Sequence, residues 1–79
     1  MVVNTENFII AKEKRMSKKG NEYGIITIID NSNSTLTVNC LVENMEMFER
    51  IPVLKKCNMI LNIGLGKYRN ITVNDVRIA

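Results

Sequence analysis

The run Tyr23-Gly24-Ile25-Ile26-Thr27-Ile28-Ile29-Asp30 constrains the fold more than any other stretch of the chain. β-Branched side chains are stiff at χ1 and suit a pleated surface better than a helix, so the unbroken Ile/Thr block predicts a strand. Alternation then puts Tyr23, Ile25, Thr27 and Ile29 on one face and Gly24, Ile26, Ile28 and Asp30 on the other. Both faces are largely apolar, so neither is freely solvated.

Around this strand the pattern repeats. Thr35 to Val42 alternates cleanly, with Thr35, Thr37 and Asn39 opposite Leu36, Val38, Cys40 and Val42, which reads as one core face and one polar face open to water or ligand. Asn31-Ser32-Asn33-Ser34 lies between the two strands and is a hairpin signal. Upstream, Phe8-Ile9-Ile10-Ala11 opens a strand that continues through Arg15, with Phe8 and Ile10 on the face of Lys12 and Lys14, and Ile9 and Ala11 on that of Glu13 and Arg15. Phe8 and Phe48 are expected in the core. Met1 to Asn7 is expected to be a polar lead-in lying along an edge or fraying.

Downstream, Glu43 to Arg50 suits a short helix with Asn44 as cap and Pro52 beyond its end, docked by Met45 and Phe48. Met59 to Leu65 is a fourth strand, 66 to 70 an exposed loop, and Ile71 to Ile78 a fifth strand. The apolar period of the fifth slips between Val73 and Val76, which marks Asn74-Asp75 as a bulge. Five strands with a short helix between the third and fourth, in one domain over residues 1–79, fit an all-β, five-stranded Greek-key barrel of the oligonucleotide-binding (OB) type. Such barrels place ligands on strands two and three and on the loops after strands one and four.

The charge falls where that fold would use it. The formal charge of +3 is mild, but Lys12 to Glu22 holds five of the eleven basic residues against two acids and ends in the turn signal Gly20-Asn21. A cationic segment thus opens onto a strand that begins with a ring, the combination that single-stranded nucleic acid requires. Lys14, Arg15, Lys18, Lys19, Lys67 and Arg69 are the candidate phosphate contacts, Tyr23 and Tyr68 the candidate stacking rings, and Thr37 a candidate on the polar face. The competing readings are a charged loop that keeps an edge strand from aggregating, and a Tyr23 ring packed into the barrel wall.

Lys19-Gly20-Asn21-Glu22-Tyr23, followed by an apolar strand, resembles the small OB-type single-stranded DNA-binding proteins of phages and mobile elements, those of the filamentous-phage helix-destabilising type included. The resemblance runs in layout from about Arg15 to the closing strand. It implies a DNA-replication role, phosphate contacts by Arg15, Lys18 and Lys19, stacking by Tyr23, and action as a homodimer. The chain departs from that pattern in having no Trp and only Phe8, Tyr23, Phe48 and Tyr68 as aromatics. Its expected face therefore carries at most two rings, and affinity is weak or shared between protomers. No acidic tail follows Ile78-Ala79, so recruitment of partners through one is not expected.

Other chemistries find little support. With no histidine and no paired-cysteine spacing, neither a general base of the commonest kind nor a zinc site is expected, and Gly64-Leu65-Gly66-Lys67 lacks the spacing of a phosphate-binding loop. An enzyme, a cofactor and a bound metal are thus not expected. No apolar run is long enough to span a bilayer and no signal-peptide pattern opens the chain, so the expected compartment is the cytoplasm, with Cys40 and Cys57 reduced and packed as small hydrophobes. The alternatives to DNA binding are an RNA-binding OB domain and an OB subunit whose apolar second-strand face docks another protein.

Overall fold

The computed structural model describes residues 1–30, 33–65 and 69–79. Its strands are β1 (Val2–Met16), β2 (Glu22–Asp30), β3 (Asn33–Val42), β4 (Lys55–Leu65) and β5 (Arg69–Ile78), with a helix α1 (Met45–Arg50) between β3 and β4. They close into a barrel in the order β1-β2-β3-β5-β4, with β4 returning to β1. All pairings are antiparallel except β3 with β5, which meet in parallel at Leu41↔Thr72. This is the OB-type barrel that the element order predicts.

Closure depends on β1 serving two neighbours. Its first half pairs with β4 from Val2↔Asn62 to Ile9↔Lys55, and its second with β2 from Asn7↔Asp30 to Met16↔Glu22. The polar segment Asn4-Thr5-Glu6-Asn7 is therefore a full strand and not a lead-in. Asn7 explains part of the misreading: its side chain is buried, and its Nδ2 donates to Met59 Sδ at 3.8 Å, so a residue with a loop signature lines the core.

A bulge between Ile9 and Ala11 changes which residues of β1 face outward, since Ile9 pairs with Ile28 and Ala11 already with Thr27. Ile9 is fully buried and Phe8 is 37% exposed. Phe8 therefore lies on the outer face with Ala11, Glu13 and Arg15, which corrects its expected place in the core. On the far side of the same seam, Leu54 adopts a left-handed φ of 63° and donates its N–H to the Ile9 carbonyl at 2.6 Å. The bulge expected at Asn74-Asp75 is present: Ile60 pairs with Asp75 and Leu61 with Val73, leaving Asn74 as the extra residue.

The core is built by the inward sides of the alternating strands: Ile9, Ile26, Ile28, Cys40, Val42, Cys57, Met59, Leu61 and Val73. Each large aliphatic side chain there contributes about 1.5–3 kcal/mol by leaving water. Val38 shares the parity of Cys40 and Val42 but remains 36% exposed. Burial pushes the Cys40 thiol up to about 11 and raises that of Cys57 as well; both cysteines are free, and little thiolate forms at neutral pH.

Helix α1 plugs one end of the barrel. The Asn44 side chain caps it by accepting from the Met47 N–H at 3.1 Å. Phe48 is buried against Gly24 of β2, where a methyl group would overlap its ring. Glycine at position 24 thus admits the plug, and the start of β2 is fixed by it.

Candidate nucleic-acid interface

The outer face of β1, β2 and β3 is a set of cross-strand rows. Arg15 stands opposite Tyr23; Glu13 opposite Ile25, which faces Leu41; Ala11 opposite Thr27, which faces Asn39; and Phe8 opposite Ile29, which faces Thr37. A polar link, Thr27 Oγ1 donating to Asn39 Oδ1 at 2.9 Å, crosses the middle of the face. Tyr23, Ile25, Thr27 and Ile29 are all partly exposed, and Thr37 and Asn39 are exposed. The face is therefore neither a core layer nor a charged surface, but a half-solvated strip with a ring toward each end.

At the Tyr23 end, β1 turns into β2 through a tight loop. Ser17 N–H donates to the Asn21 carbonyl at 2.8 Å, Gly20 N–H to the Ser17 carbonyl at 3.0 Å, and Asn21 N–H to Ser17 Oγ at 3.1 Å. Gly20, at φ 86°, supplies the left-handed residue that closes the loop. This leaves Lys18 and Lys19 exposed at the tip, where neither makes an ion pair among the described residues. Beside the loop, Ser17, Asn21, Glu22, Tyr23, Leu41 and Glu43 line an open depression of about 490 Å³.

The remaining cations of the segment are engaged elsewhere. Lys12 donates to the Phe48 carbonyl at 3.2 Å, with its ammonium 5.0 Å from the centre of the Phe48 ring, and so fastens α1 to β1. Lys14 lies 2.9 Å from Glu49 and 3.8 Å from Glu22. Its pKa is raised, chiefly by the hydrogen bond to Glu49, while that of Glu49 is lowered by the same contact. Arg15 lies 2.9 Å from Glu13, and its already high pKa is raised further, first by Glu13 and to a smaller extent by Tyr23. These exposed pairs are weak and can exchange for a phosphate, but they lower the positive potential of the strand.

Of the expected site residues, Arg15, Tyr23 and Thr37 share the outer face, and Lys18 and Lys19 crown its end. Lys14 has the opposite parity and points toward the plugged mouth of the barrel beside α1. Arg69, expected in a loop, instead opens β5 opposite Leu65, because the ladder with β4 extends two residues beyond Ile71. Lys67 and Tyr68 lie outside the described residues. Phe8 is the residue that pattern reading missed, because only the bulge at Ile10 turns it outward.

The described residues contain no group of three or more His, Cys, Asp or Glu side chains placed to hold a metal ion, and no helix among them is long and apolar enough to cross a membrane. No family model, curated protein or solved structure matches this chain, and its own geometry therefore carries the functional reading.

Proposed function

We propose that this OB-type barrel binds single-stranded nucleic acid, with little sequence preference, along the outer face of β1, β2 and β3. The observation that carries this reading is the placement of Tyr23 and its cross-strand partner Arg15 directly beneath a turn that presents Lys18 and Lys19. A ring accepts any base by its π face, and cations within one turn neutralise the phosphates on either side of it. The resemblance in Lys19 to Tyr23 favours DNA over RNA. A homodimer, again on that resemblance, would align two such strips and double the contacts available to one strand. The two buried thiols suit a reducing, cytoplasmic setting.

Titration of the protein with labelled oligo-dT at fixed salt, with unlabelled DNA, RNA and duplex of equal length as competitors, tests the reading. Effective competition by single-stranded DNA and poor competition by duplex are expected. RNA competing as well as DNA assigns the face to single strands generally, and absence of binding to every oligonucleotide overturns the proposal.

A further inference from the structure

The strip has a second ring. Resting on the single-strand reading above, we propose that Phe8 is a base-stacking residue and that its separation from Tyr23 sets the shortest nucleic acid that engages the whole face. A lone exposed apolar side chain carries no message, since much of any protein surface is apolar. Phe8 differs in its position. The bulge between Ile9 and Ala11 removes it from the core while Ile9, its neighbour, stays fully buried. It then stands in one row between Ile29 of β2 and Lys56 of β4. Ile29 gives the ring an apolar flank. Lys56, about half exposed and 3.1 Å from Glu6, puts a cation on the other side.

The row also fixes a length. Tyr23 and Ile29 are six residues apart on β2, and at about 3.3 Å per residue the two rings stand about 20 Å apart along the strand. A helically stacked strand advances about 3.4 Å per nucleotide, so about six stacked nucleotides, or fewer extended ones, bridge the rings. That lies within the range of about 4–16 nucleotides that OB folds occupy. A dinucleotide reaches one ring only. Arg15 at one end and Lys56 at the other place a cation next to each ring, and the Thr27–Asn39 link between them gives the intervening bases a polar floor.

The chain contains no Trp, so Phe8→Trp creates a unique fluorophore at the proposed stacking position. Its emission is expected to be quenched on adding dT6, and less on adding dT2 at equal occupancy, since a dinucleotide divides between the two rings. Phe8→Leu, which keeps an apolar side chain against Ile29, is expected to weaken dT6 binding by about 5- to 150-fold, the equivalent of losing one stacked base at about 1–3 kcal/mol. It should weaken dT2 binding, which engages one ring only, by about twofold at most, because the Tyr23 site remains, and leave the melting temperature nearly unchanged. Unquenched indole emission from the Phe8→Trp variant, together with Phe8→Leu binding dT6 as tightly as the parent, overturns the role of Phe8 while leaving the single-strand reading standing. Failure of the parent itself to bind dT6 removes both.

Discussion

Two halves of one basic segment do different work. Lys12 and Lys14 belong to the helix-plugged mouth of the barrel, where one holds the Phe48 carbonyl and the other Glu49. Lys18 and Lys19 stand at the turn between β1 and β2, outside any ion pair of the described residues. The segment is continuous in sequence, yet its cations differ in what already occupies them. On the proposed reading, the cations at the turn can meet a phosphate without first giving up a carboxylate, whereas Lys14 and Arg15 along β1 must exchange one. The plugged mouth should respond to mutation in stability, the turn and the strip beside it in binding.

The largest effect that would sharpen this contrast is at the plug. Phe48→Ala removes a buried ring and should lower folding stability by about 3–5 kcal/mol, read from denaturant unfolding. Gly24→Val attacks the same contact from the other side by overpacking and should cost about 1–3 kcal/mol. A small effect of both would mean that α1 does not seal the barrel.

At the strip, Tyr23→Ala should weaken single-strand binding by about 1–3 kcal/mol, with a smaller loss of stability because the ring is half-buried. Tyr23→Phe should restore the binding, since a phenyl face stacks without the hydroxyl. Loss of stability with unchanged affinity would place Tyr23 in the barrel wall and break the division between the two regions.

The smallest effect should come from loosening an engaged lysine. Glu49→Gln removes the nearer of the two carboxylates that hold Lys14; because Lys14 points away from the strip, the salt slope of binding should change by less than about 0.7, the value of one phosphate contact. The same loosening should follow pH. The Glu49 carboxyl titrates below its ordinary 4.5 in the folded state, so its contribution to stability is present above that value and lost as pH falls through the folded pKa. The unfolding midpoint of the parent should decline across that acid window more than that of Glu49→Gln; parallel profiles would show the ion pair to be idle.

The order of elements was legible from periodicity because the strands carry it locally. The third strand with Cys40 and Val42 inward and Thr37 and Asn39 exposed, the Asn44 cap and the slipped period at Asn74 each appear in the barrel where the pattern puts them, while Val38 stays partly exposed. What escaped depends on contacts distant in sequence. Val2 to Asn7 is a strand because β4 pairs with it, and Asn7 is tolerated inside because Met59 accepts its amide. The outward turn of Phe8 needs the bulge at Ile10, which no composition signal announces. Likewise the engagement of Lys12 and Lys14 depends on a helix more than thirty residues away. Of the candidate site, the shared outer face of Arg15, Tyr23 and Thr37 and the exposed Lys18-Lys19 tip follow from the strand and turn signals, whereas the outward position of Phe8 does not.

The salt dependence of single-strand affinity tests the central claim most directly. With Lys18, Lys19, Lys67 and Arg69 as about four phosphate contacts, log affinity for oligo-dT should fall against log salt with a slope of about −3, and the Lys18→Ala/Lys19→Ala double variant should be shallower by about 1.4 with its melting temperature unchanged. A flat response in the parent, or a double variant with the parent's slope, would contradict the assignment of this turn and face to nucleic acid.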